Sequence, residues 1–136
     1  MNFTKYILIS LIALGSASAW AQSTDKESNK VQIFTYEEKA NLQNWFQQEI
    51  QRMELSQEQE ADYSSVITYY IAKIARLDDK DQEYTREEFK AKLEEYLVKQ
   101  DMDLKEILSD EQFTIHKEIY GEFLRSAYKR WGIEEN

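Results

Sequence analysis

The chain has 136 residues, 26 of them Asp or Glu against 17 Lys or Arg, a formal net charge of −9, and neither Cys nor Pro. That length fits one small domain with a modest core. The acidic balance argues against binding to nucleic acid or anionic membrane, which calls for Lys/Arg-rich faces. Without Cys there are no disulfide staples and no thiolate metal ligands.

Residues 1–21 read as an export signal. Lys5 supplies the positive start, Tyr6 to Leu14 is a short apolar run, and Ala19-Trp20-Ala21 is an A-x-A-like cleavage site. The run is too short to span a bilayer, and no Cys follows it for lipid attachment. The segment holds one Lys and no acidic residue, so cleavage leaves 115 residues at a formal −10. The expectation is a periplasmic or secreted protein with no stable membrane anchor once the signal is cleaved. Residues 22–33 are polar and lack periodicity, as in a disordered lead-in. A single helical domain is expected over 34–136.

Thr35-Tyr36-Glu37-Glu38 forms a capping box that opens the first helix, with Leu42, Phe46, Glu49 and Met53 on one face and Trp45 and Ile50 at its edges. The second helix runs from Gln57 to about Leu77. Its Tyr63, Val66, Ile67, Tyr70, Ile71, Ile74 and Leu77 follow the i, i+3, i+4, i+7 rule. An acidic connector from Asp78 to Tyr84 leads to Thr85-Arg86-Glu87-Glu88, a box for the third helix. That helix carries Phe89, Leu93, Tyr96, Leu97, Leu104 and Ile107, is interrupted by polar Gln100, and should continue to about Ile107. The fourth begins after Ser109, carries Phe113, His116, Tyr120, Phe123, Leu124, Ala127 and Trp131, and stops at Gly132. No Pro and no alternating strand pattern is present, so the fold class is all-α, four helices arranged as two helical hairpins.

One pentapeptide pattern occurs twice, as Leu55-Ser56-Gln57-Glu58-Gln59 and Leu108-Ser109-Asp110-Glu111-Gln112. In each, the Ser hydroxyl accepts from the backbone N–H three residues on, and the Gln side chain reaches back to the Ser N–H. Phe113 is placed to staple against Leu108, whereas Glu60 occupies the same slot in the first copy. Sliding the chain by 53 residues lays Leu55–Leu77 over Leu108–Arg130. Val66 then meets Ile119, Ile67 meets Tyr120, Tyr70 meets Phe123, and Tyr63 falls on His116. This is the pattern of a duplicated helical hairpin.

An exported helical chain with two L-[ST]-x-x-Q motifs resembles the LTxxQ-motif family of periplasmic proteins (Spy/CpxP-like). Leu55, Ser56, Gln59, Leu108, Ser109 and Gln112 carry the match, with Ser at both positions where Thr is usual. The resemblance implies a four-helix protein, often a cradle-shaped antiparallel dimer. Its members bind unfolded polypeptide without ATP, hold a stress sensor quiet, or serve metal resistance. The family's chaperones present a basic concave surface, whereas this chain without its signal carries −10.

Chemistry at the side chains points away from catalysis. His116 is the lone His and lies on an apolar helix face, while Met53 and Met102 are far apart, so no transition-metal site is expected. An EF-hand loop counted from Asp79 needs Gly at 84 and Glu at 90, where the chain has Tyr84 and Lys90. Carboxylate pairs such as Glu37/Glu38, Glu87/Glu88 and Glu94/Glu95 sit on helix starts or outer faces. Ser56 and Ser109 are occupied as caps, and no nucleophile–base pair is identifiable. No enzyme activity and no cofactor are expected. Apolar residues off the main stripes indicate instead a partner surface: Tyr69 on the second helix, Val98 and Met102 on the third, and Ile115 and Ile119 on the fourth. Tyr69, Ile115 and Ile119 are the first candidates for contact with protein clients, a sensor protein or a second copy of the chain.

Overall fold

The computed structural model describes residues 33–79 and 82–133. The export signal expected at 1–21 and nearly all of the lead-in expected at 22–33 lie outside them, as does part of the Asp78–Tyr84 connector. The described chain is all-α, built of four helices. None of the described helices is long and apolar enough to cross a membrane.

Each helix begins at a hydroxyl. Helix α1 spans Tyr36–Ile50, and Thr35 Oγ1 accepts from the Glu38 N–H at 3.2 Å while Glu38 accepts from the Thr35 N–H at 2.7 Å. A single 3-10 turn, Gln51–Met53, follows and is closed by Glu54 in the left-handed region at φ 49°. A left-handed residue other than Gly costs roughly 1 kcal/mol. Here it reverses the chain abruptly enough for Ser56 to start α2, Gln57–Leu77. Helix α3, Arg86–Lys105, starts at Thr85, whose hydroxyl accepts from the Glu88 N–H at 3.1 Å. Its end falls two residues before the Ile107 expected from periodicity. The Glu106 and Ile107 N–H groups bond three residues back, to Asp103 and Leu104, which tightens the last turn and frees Leu108 and Ser109 to begin anew. Helix α4, Asp110–Trp131, stops at Gly132 with φ 69°, and the Ile133 N–H reaches back to the Tyr128 carbonyl at 3.1 Å. That geometry is the Schellman stop.

The four helices pair across the repeat boundary. Helix α2 packs most closely on α3, while α1 and its 3-10 turn lie against α4. Phe46, Ile50 and Met53 from the first segment meet Ile119, Phe123 and Ala127 of α4 in one core with Ile67, Ile71, Phe89 and Leu93. Burial of this one continuous apolar face supplies most of the stability, since isolated helices of this length are marginal in water. Arginines fasten the ends. Arg130 grips Glu38 with two bonds of 2.8 and 2.6 Å and also the Ile33 carbonyl at 2.9 Å, joining the end of α4 to the start of α1. Arg52 bridges Glu49 and Glu118 at 2.9 and 2.7 Å.

Candidate functional site

The two repeated motifs meet. Gln59 Nε2 donates to Gln112 Oε1 at 2.8 Å, and Gln112 Nε2 donates back to Gln59 Oε1 at 3.2 Å. Each amide also closes its own capping box, accepting from the Ser56 or Ser109 N–H at 3.0 Å. The remaining N–H of each crosses to the opposite half, Gln59 to the Ile107 carbonyl and Gln112 to the Met53 carbonyl, both at 3.1 Å. Two donors and two acceptor lone pairs are thereby used on both side chains, the full capacity of a primary amide. The sequence motif is thus one joint between α2 and α4, assembled from two caps. Gln carries this signal: Thr35 and Thr85 have Glu38 and Glu88 in the same slot, and a carboxylate has no N–H to send across. The box expected at Thr85 is left half-made, because Glu88 returns no bond to its cap.

One turn further along both helices, again 53 residues apart, the Tyr63 hydroxyl lies 2.8 Å from His116 Nδ1. Both residues are fully enclosed. The His116 ring stands edge-on to Tyr63, with 5.5 Å between centroids, and stacks on Tyr120 at 5.4 Å. Burial, reinforced by the Lys117 charge, lowers the imidazole from 6.5 to about 3, so it is neutral. Burial pushes the Tyr63 and Tyr120 phenols well above their ordinary value. The Gln100 amide lies against the Tyr120 hydroxyl. Neither group completes a hydrogen bond, and neither does His116 Nε2. Gln100, which interrupts the apolar stripe of α3, is therefore buried in a polar pocket of the core.

The residues offered as a partner surface divide. Tyr69 is exposed by 56%, Val98 by 59% and Met102 by 63%, all on the α2–α3 pair. Ile119 is buried at 1%, which removes it from any open surface. Its stripe on α4 is covered by α1 and the 3-10 turn, neighbours that a helical wheel of α4 alone does not contain. Ile115 is partly buried against the core. Tyr36, 90% exposed at the start of α1, is a further open aromatic that the periodicity did not single out.

The α2–α3 surface is firmly held. The Tyr70 hydroxyl donates to Asp103 Oδ2 at 2.6 Å, which pushes the phenol up to about 12 and ties the two helices beside the exposed residues. Tyr69 packs edge-on to Tyr70 at 5.0 Å and carries the Lys73 ammonium 5.5 Å above its ring. On α3, Lys99 bonds Glu95 at 2.8 Å and lies 5.8 Å over the Tyr96 ring. Its ammonium is held above the ordinary value by Glu95 first, with smaller help from the Tyr96 and Tyr69 phenols. The result is an aromatic and apolar strip edged by lysines on a chain that is otherwise strongly acidic.

An open cleft of about 290 Å³ lies between α1 and α4, rimmed by Glu49, Arg52, Lys117, Glu118 and Glu122 with Ile119 at its floor. Arg52 is committed to Glu49 and Glu118, and Lys117 to Asp101. The described residues contain no group of three or more His, Cys, Asp or Glu placed to hold a metal ion. The Ser56 and Ser109 hydroxyls both accept from backbone N–H groups at 3.1 Å, as caps do. The chain matches no protein-family model, no curated protein and no solved structure.

Proposed function

We propose that this is an exported, ATP-independent chaperone-like protein that captures exposed apolar segments of unfolded envelope proteins on the α2–α3 surface. The observation that carries this reading is the exposure of Tyr69, Val98 and Met102 on one tightly pinned helix pair. Large apolar side chains held open on a rigid support favour contact with apolar chain segments, because binding removes their surface from water. Lys73 and Lys99 soften the acidic field at that place, and the remaining negative charge keeps the loaded protein soluble. The LTxxQ resemblance and the signal-like residues 1–21 point the same way, to a protein-binding role outside the cytoplasm. The two motifs serve the fold under this proposal, so contact with the client falls to other residues.

The test is light scattering of chemically unfolded clients, one of them basic, diluted into stoichiometric protein without ATP. Suppression across unrelated clients, weakened severalfold by Tyr69→Ser with Met102→Ser, is the expected result. A second reading, regulation of one membrane stress sensor, is favoured by the pinned shape of the strip, since a rigid surface suits one complementary partner. A regulator ignores every unfolded client and is instead retained on a single envelope protein.

A further inference from the structure

His116 is the single imidazole of the chain, a group that takes up a proton in mildly acidic conditions once it is exposed to water. Its hydrogen bond leaves two tautomers. If Tyr63 donates to Nδ1, only the Nε2–H is left without a partner. If Nδ1–H donates to Tyr63, both Nε2 and the phenol proton are stranded. The first leaves fewer orphan groups and is favoured. A second proton on the ring then has to enter an enclosure built for a neutral one.

The surroundings offer that proton no counter-charge. From α2 the ring faces the neutral Tyr63 hydroxyl. On its own helix it faces Phe113 and Tyr120, with the cationic Lys117 as the one charge acting on it. Helix α3 contributes the neutral Gln100 amide at Tyr120 and, further out, Asp101, whose carboxylate is taken by Lys117 at 2.6 Å. Among the described residues no carboxylate acts on the imidazole. An imidazolium here is a buried, uncompensated charge, which proteins relieve by letting water in. The bond it would disrupt stands one turn from the paired glutamines, where α2 and α4 meet through side chains.

We propose that His116 is an acid-operated latch: protonation of its imidazole, enclosed between α2 and α4 with no counter-charge, releases α4 from α2 and opens the apolar core face. Helix α4 swings free of Tyr63 while the helices themselves persist. Tyr63 and Tyr120, the rings packed against the imidazole, then join the surface available to unfolded chains. This step rests on the protein-binding reading above, as its regulation. A signal in acid would enlarge the capture surface without nucleotide or metal.

Because the chain holds a single His, its imidazole gives one resonance, and the state of the latch can be followed in the intact protein by NMR alongside amide hydrogen exchange. The imidazole of the closed form is expected to stay neutral down to pH 5. Over the same range, from pH 7.5 to pH 5, protection of the α4 amides, corrected for intrinsic exchange rates, should fall about 30-fold, with helical circular dichroism retained. In His116→Phe and in His116→Gln the fall should be less than about 3-fold, because neither side chain titrates. A closed-form imidazole that titrates near its ordinary value overturns the proposal, as does an equal loss of protection in a folded variant. Loss of helicity in the same window overturns it too, since that is global unfolding. Should a variant fail to fold, the imidazole titration of the wild type decides by itself. None of these readouts involves a client, so a latch that works beside a failure to suppress aggregation would sink the chaperone reading alone.

Discussion

Two kinds of helix start occur in this chain, and they do different work. At Thr35 and Thr85 the third helical residue is Glu. Glu38 closes its box and is clamped from outside by Arg130, while Glu88 makes no return bond to the Thr85 N–H. At Ser56 and Ser109 the third residue is Gln, both boxes close, and both amides reach across to the other half. A carboxylate can cap and accept an ion pair, as Glu38 does from Arg130, but it has no N–H to send across. An amide caps and bridges at once. The difference of one atom group separates a local device at the rim from a joint at the centre of the fold.

Acid gives the largest contrast between the two. His116, beside the joint, is depressed to about 3 from 6.5, so its neutral form stabilises the fold fully above the ordinary value and loses that contribution as pH falls from 6.5 toward 3. The loss amounts to roughly 4 kcal/mol between pH 7 and pH 3. Glu38, at the rim, is held down to about 2, mainly by Arg130, and its contribution is present above 4.5 and lost only below it. It is solvent-exposed, so its effect is screened and small. Urea unfolding across pH should therefore show the first decline starting near 6.5, and His116→Gln should remove that decline while leaving the one below 4.5.

Exchanging the third residue breaks the comparison directly. Gln112→Glu keeps an acceptor for Ser109 but faces Gln59 Oε1 and the Met53 carbonyl with oxygens instead of donors. We expect a loss of about 3 kcal/mol in chemical denaturation. The cap hydroxyls come next. Ser56→Ala and Ser109→Ala should each cost on the order of 1 kcal/mol while leaving client suppression per folded molecule unchanged. The smallest change is at the incomplete box, where Glu88→Gln should shift stability by less than about 0.5 kcal/mol. A Glu88→Gln loss as large as that of Gln112→Glu would erase the distinction between rim and joint.

Much of this architecture was legible in the residues, because caps are local. Thr35, Ser56, Thr85 and Ser109 announce four helix starts, and Gly132 one stop, from side-chain chemistry that depends on a few neighbours. The 53-residue offset placed Tyr63 on His116, and the two touch. What stayed hidden depends on more than one element at a time. Gln59 and Gln112 looked complete as caps, since the box accounts for their carbonyl oxygens and says nothing of their N–H groups. Preference for Gln over Glu at both places, in so acidic a chain, was the available sign. Ile119 lies off the centre of its own helix stripe, yet α1 and the 3-10 turn cover it. Gln100 looked like a break in a stripe and lies in the core. Tyr69, Val98 and Met102 stand open because, among the described residues, nothing packs on the far side of the α2–α3 pair.

The most direct test of the joint is a double-mutant cycle of Gln59→Ala and Gln112→Ala, read by urea unfolding at neutral pH. A coupling of about 1–2 kcal/mol between the two sites is expected for amides that bond each other across the helix pair. Additive losses, with no coupling, would mean two independent caps that happen to lie close, and would contradict a single joint.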